Sequence, residues 1–222
     1  MRLVCLRHAP LWAFLVVTAP AHAAGSLLVD DAGTLANGQC QLEGWLRGRA
    51  GPRELTAVAA CARGGSEGSL GLGHLRGDGS APWTLGVKRT LGSLRGERVQ
   101  LAIAATAGGD LRRAGARAWS LNVPLSIALD ADGRAQLHLN AGQDRSRTAR
   151  GLTGGIGTAF QLGPRWSLLA ERWRDAGGER STQFGLRRHL HGEATLDLLG
   201  GRSGGVAAPS WFSVGLNLPL AR

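Results

Sequence analysis

Apolar runs are scarce in this sequence. Beyond position 17 no segment reaches the ~20 apolar residues of a bilayer-spanning helix without meeting a charge or a turn residue, which excludes a helical membrane protein. Tyrosine is absent and phenylalanine occurs four times, so an aromatic belt would have to rest on the tryptophans, six of which follow position 23. Lysine occurs once, at Lys88, so the net charge of +10 is carried by arginine. Cysteine is limited to Cys5, Cys40 and Cys61, too few for a disulfide-built scaffold or a thiolate metal cluster.

What is present begins with the pattern of an export leader. Arg2 and Arg7 give a basic start, residues 11–17 a short apolar core, and Ala21-His22-Ala23 the small residues that a signal peptidase reads. Cleavage is expected after Ala23. A retained anchor is the alternative, but the apolar core is too short to span. The organisation expected is a signal peptide at 1–23, an N-terminal periplasmic or plug segment at 24–37, and one β-domain at 38–222. An exported basic chain does not meet nucleic acid. Its arginines instead suit anionic lipid head groups or an anionic solute, because the guanidinium fork grips phosphate and carboxylate bidentately.

The remaining chain alternates with period two, the signature of strands with one apolar and one polar face. In 39–49 one face carries Cys40, Leu42, Gly44 and Leu46, the other Gln41, Glu43, Trp45 and Arg47. A hairpin about Ala50-Gly51 places Leu46 opposite Leu55, Gly44 opposite Ala57, Leu42 opposite Ala59 and Cys40 opposite Cys61. Matching apolar positions fix such a register. Directly opposed cysteines can form a cross-strand disulfide, or remain two free thiols facing lipid. Further strands are read at 68–77, 82–93, 97–107, 118–130, 134–144, 152–162, 165–174, 181–190, 193–200 and 209–220. With the first hairpin they make twelve, an even number as single-chain bacterial barrels have, or ten if the weak segment 68–77 and a neighbour are misread.

Loop lengths are expected to alternate. Leu94-Arg95-Gly96, Ala131-Asp132-Gly133, Gly163-Pro164 and His191-Gly192 read as tight turns, whereas 108–117, 144–151 and 201–209 read as longer loops. Short periplasmic turns and longer external loops would give that pattern, with both termini in the periplasm. Trp83, Trp119 and Trp166 fall where an interfacial girdle would put them, while parity turns Trp45, Trp173 and Trp211 inward.

Some residues resemble a known family. Leu28-Val29-Asp30-Asp31-Ala32-Gly33-Thr34, followed by Gly38-Gln39-Cys40-Gln41-Leu42-Glu43, resembles the opening of outer-membrane proteins described as phenol meta-cleavage-pathway transporters. Trp166-Ser167-Leu168-Leu169-Ala170-Glu171 and Gln183-Phe184-Gly185-Leu186-Arg187 are similar to a strand pair of that family. The resemblance implies a channel-like outer-membrane barrel that passes small aromatic or apolar compounds. The chain departs from the pattern at its end, Leu218-Pro219-Leu220-Ala221-Arg222, where barrels commonly finish on an aromatic residue read by the assembly machinery. Its aromatic content is also thin for an aromatic-lined path.

The polar faces would line the lumen with Gln41, Glu43, Arg47, Asn122, His138, Asn140, Glu171, Gln183, Arg187, Asp197 and Asn217. Glu171 and Arg187 are expected as near neighbours across a hairpin, neutralising one another where an unpaired charge is costly. These residues could select solutes or simply fill a small barrel. Ser126 and His138 fall inward on neighbouring strands, but no third group completes a nucleophilic triad in the sequence, and no enzyme is expected. His189 and His191 adjoin a turn without a carboxylate partner, and Gly151-Leu152-Thr153-Gly154-Gly155-Ile156-Gly157 lacks a phosphate loop's Lys-Ser/Thr. No metal and no cofactor are therefore expected. Arg112, Arg113 and Arg117, with Arg145, Arg147 and Arg150, would crown the external end and contact lipopolysaccharide or anionic solutes.

The expectation is an all-β, antiparallel up-and-down transmembrane β-barrel of ten to twelve strands in the outer membrane. It would be a small channel for small molecules, hydrophobic or aromatic ones included. The alternatives are a structural barrel with a plugged lumen, and a soluble periplasmic β-protein. Partners would be outer-membrane lipid and lipopolysaccharide, a small solute and the assembly machinery.

Overall fold

In the computed structural model, residues 26–49, 53–77, 79–94, 98–204 and 210–220 are described. The leader, the Ala50-Gly51 turn, Arg95-Gly96 and Ala221-Arg222 lie outside them. The strands are β1 (Cys40–Arg49), β2 (Arg53–Arg63), β3 (Ser66–Arg76), β4 (Pro82–Leu94), β5 (Val99–Asp110) and β6 (Arg113–Ala128). They continue with β7 (Ala135–Arg145), β8 (Arg150–Gly163), β9 (Trp166–Arg174), β10 (Arg180–His189), β11 (Thr195–Ser203) and β12 (Ser210–Leu220). Each pairs antiparallel with its chain neighbours, and β1 pairs with β12 from Cys40↔Leu220 to Arg49↔Trp211, closing the barrel. Closure leaves no edge, so every strand finds backbone partners on both sides.

Alternation decides what each face meets. Leu42, Leu46, Leu55, Leu70, Leu72, Leu85, Ile156, Phe160, Leu168, Phe184 and Phe212 stand exposed on the outside. Gln41, Glu43, Asn140, Thr153, Glu171, Gln183, Arg187 and Asp197 are buried inside. The barrel is thus inverted relative to a water-soluble one, as a lipid-facing surface demands. The first hairpin has the register that the apolar pattern dictates, with Cys40 opposite Cys61 and Leu46 opposite Leu55. Cys40 and Cys61 form a disulfide with Cα atoms 4.1 Å apart.

Two local features depart from regular pairing. Pro124 has no N–H to donate, and the β5–β6 ladder has no partners between Ala104↔Asn122 and Leu101↔Leu125. A bulge near Thr90 and Gly92 shifts the register of β4 against β5.

The expected alternation of loop lengths is not found. Residues 108–110 and 113–117 belong to β5 and β6, leaving only Leu111 and Arg112 as the connection. Likewise β7 and β8 take up 144–145 and 150–151, leaving 146–149, while the turn at 129–134 is longer than either. Glycine and arginine mark loops when read by composition. Here, however, the growing ladder satisfies their backbone groups, so pairing continues. The start of β1 and the end of β12 nonetheless lie at one end of the barrel, because the strand count is even.

The barrel lumen as candidate functional site

A segment of the chain's own N-terminus occupies part of the lumen. Residues 26–37 have no strand partner, so their backbone polar groups need other partners, and wall side chains supply most of them. The Leu28 and Val29 amides donate to the two carboxylate oxygens of Glu171, at 2.9 and 3.3 Å. Asp30 donates its amide to Asn140 Oδ1 at 2.9 Å and accepts from Asn140 Nδ2 at 2.8 Å, a two-way amide pair. Ala32 donates to Ser126 Oγ at 2.8 Å and accepts from Thr90 Oγ1 at 2.9 Å. Leu35 donates to Glu67 Oε2 at 2.8 Å. The segment thus runs from β9 past β7 and β6 to β3, and then to β2, where the Gly38 amide donates to Ala62 O.

Its inner end is held by charge. Arg187 and Asp197 form a bidentate pair, Nε to Oδ1 at 2.7 Å and Nη2 to Oδ2 at 2.8 Å, both side chains buried. Ser26 Oγ donates to the same Asp197, and Ser26 O accepts from Arg47 and Gln183. Lys88 reaches Asp31 at 3.4 Å and Asp30 at 3.8 Å. Val29 sits against the glycine-rich face of β8, where a Cβ on Gly157 would come within 3.2 Å of it. Glycine there makes room for a close approach, which accounts for part of the run that superficially evokes a phosphate loop.

The expected lumen residues fall as follows. Gln41 donates to Glu43 at 2.7 Å, Asn122 to Asn140 at 3.0 Å, and Gln183 to Glu171. Arg47 pairs with Glu54 at 3.8 Å and lies over the Trp211 ring, and Asn217 is buried on the same inward face. His138 Nδ1 is 2.8 Å from Ser126 Oγ, the hydroxyl that also accepts from Ala32. The expected Glu171–Arg187 neutralisation is corrected. Register places Glu171 opposite Gln183 and Arg187 opposite Asp197, so Arg187 takes Asp197 while Glu171 serves the segment. Arg112, Arg113, Arg117, Arg145, Arg147 and Arg150 are all exposed, but Arg113, Arg117, Arg145 and Arg150 stand on strands.

Sequence reasoning left out Ser26, Asp30, Asp31, Glu67, Lys88 and Thr90. Parity along 82–93 puts Lys88 on the face of Thr84, Gly86 and Thr90, which would have turned the sole lysine inward. Glu67 was lost because β3 begins at Ser66, not 68.

Beside the segment a cavity of about 360 Å³ remains. Small wall residues keep it open, namely Val58, Ala60, Ser69, Gly86, Ala104 and Thr106. Its charged lining is Asp30, Glu43, Glu67 and Asp144 against Lys88.

The model of one family, uncharacterised conserved protein UCP029691, matches residues 11–220. The chain belongs to that family. No curated protein matches this UCP029691 chain in sequence. Solved structures similar to it are outer-membrane barrels. The KdgM porin in complex with disordered oligogalacturonate aligns with a TM-score of 0.69 at 7% identity, over 82% of this chain and 99% of that one. The NanC porin gives 0.61 at 9% identity, over 82% and 100%. The COG4313 outer membrane channel from Pseudomonas putida F1 gives 0.62 at 11% identity, over 86% and 98%. At such identities the likeness is one of fold, a closed twelve-stranded antiparallel barrel.

Proposed function

We propose that this chain is an outer-membrane channel for small solutes, narrowed from within by its own residues 26–37. The cavity carries this reading. Its volume of about 360 Å³ lies in the range of small-molecule sites, roughly 300–1,000 Å³, and it lies inside a closed barrel. The apolar outer face and the fold shared with outer-membrane channels support the membrane address. The termini then mark the periplasmic end, and the hairpins at 111–112, 146–149 and 175–179 the external one. The resemblance at 28–34 and 166–171 extends the reading to small aromatic compounds, for which Trp173 is the aromatic side chain the cavity offers. The exposed arginines 112, 113, 117, 145, 147 and 150 would then meet the anionic external leaflet.

A second reading, a barrel plugged for good, is favoured by how thoroughly Glu171, Asn140 and Asp197 hold the segment. Flux through purified protein in liposomes separates the two, comparing the intact chain with one lacking residues 24–34 after a retained leader. The channel reading expects solute entry through the intact barrel and faster entry through the shortened one. Entry through the shortened barrel alone supports the plug, and entry through neither refutes both.

A further inference from the structure

The outer face carries a second charged arrangement, unrelated to the lumen. Registers place arginines directly opposite one another at the end of the barrel away from the termini: Arg53↔Arg76, Arg145↔Arg150 and Arg174↔Arg180. All six are exposed and share the outward parity of Leu55, Leu72, Leu152 and Phe184. Like charges directly opposed across strands are destabilising. At the terminal end no arginine pairs across a ladder with another among the described residues, and Arg188 there lies over Trp166.

One place in this belt is built as a site. Thr182 of β10 has Arg172 of β9 on one side and Arg202 of β11 on the other, in direct register with both. Neighbouring strands lie about 4.8 Å apart, so two flexible guanidinium groups can converge above the Thr182 hydroxyl from roughly 10 Å apart at the backbone. Arg172, Arg180, Thr182 and Arg202, with Gly178, Gly204 and the carboxylate of Glu179, line one surface groove. Among the described residues neither Arg172 nor Arg202 has an ion-pair partner. Two residues further toward the middle of β10, on the same face, stands exposed Phe184, and two further along β11 is Gly200. The groove therefore sits at the upper margin of the apolar band, where head groups of a bilayer lie.

We propose that Arg172, Thr182 and Arg202, assisted by Arg174 and Arg180, form a binding site for a phosphate of the lipid A that makes up the external leaflet. Arginine forks take two phosphate oxygens each and the hydroxyl donates to a third, while the acyl chains lie along Phe184 and Leu186. The phosphate removes the arginine repulsion that the bare fold carries. This proposal rests on the outer-membrane reading, but not on the barrel being a channel.

Native mass spectrometry of the detergent-extracted full chain tests it, after addition of lipid A carrying or lacking its phosphates. Expected is a 1:1 adduct of phosphorylated lipid A with wild type. Arg172→Gln/Arg202→Gln should weaken it at least tenfold, and Arg172→Lys/Arg202→Lys should weaken it less. Arg63→Gln/Arg165→Gln, at the opposite end of the barrel, should bind as wild type. Gel mobility with and without boiling confirms closed barrels throughout. Equal binding of dephosphorylated lipid A, or an undiminished adduct in the Arg172→Gln/Arg202→Gln variant, would overturn the site. A wild type without heat-shifted mobility would remove the membrane barrel itself, a distinguishable failure.

Discussion

Asp197 shows how much a single side chain carries. It satisfies Arg187 through two bonds and also accepts from Ser26, at a position with no access to water. Removing one partner of a buried ion pair leaves an uncompensated charge, which costs about 3–5 kcal/mol. Asp197→Ala is expected to lower the unfolding free energy by that order in urea titration of the detergent-folded barrel. Asp197→Leu/Arg187→Met should recover much of it, because both charges go together. A loss below about 1 kcal/mol for Asp197→Ala would mean that Arg187 finds water or another acceptor. The inward direction of both residues was legible from parity. Their pairing was not, since it depends on the β10–β11 register, whereas the sequence reading started from the nearer Glu171.

The N-terminal segment is an element without regular structure, held by side chains alone. That is why periodicity could say nothing about it, beyond placing it either in the lumen or below. Asn140 is its central fastening, with a bond to and a bond from Asp30. Each buried hydrogen bond contributes about 1 kcal/mol net, so Asn140→Ala should raise the local opening constant by about 10–30-fold. Hydrogen exchange read by mass spectrometry over 28–35 checks this. Unchanged exchange would mean that Glu171 and Ser126 hold the segment unaided. The β1–β2 hairpin is an element of the opposite kind, with regular pairing and a covalent clasp that links residues 21 apart. By the chain-entropy estimate such a loop contributes about 3 kcal/mol. Cys40→Ser/Cys61→Ser should therefore unfold at lower urea while keeping its heat-modifiable mobility. This hairpin was readable because cross-strand apolar matches permit only one register. The hairpins at 111–112 and 146–149 were misread as long loops, because composition cannot show how far a ladder will extend.

Across the whole molecule the two signs of charge are sorted by surface. The outside carries arginines 53, 76, 145, 150, 172, 174, 180 and 202 exposed, and these contribute to the strongly positive total. The cavity reverses the sign, since Asp30, Glu43, Glu67 and Asp144 face the sole Lys88 within it. Net charge governs how the protein meets its surroundings, whereas permeation is governed by the groups along the path. A chain of +10 suggests an anion channel by composition, which is why the sequence pointed to anionic solutes. The path argues the contrary. In a planar bilayer under a tenfold potassium chloride gradient, the reversal potential is expected to take the sign of cation preference. Asp144→Asn should move it toward zero while Glu171, Asn140, Ser126 and Glu67 keep their bonds to the segment. Anion preference in the intact protein would show that the external arginines, and not the cavity wall, set the field a permeating ion meets.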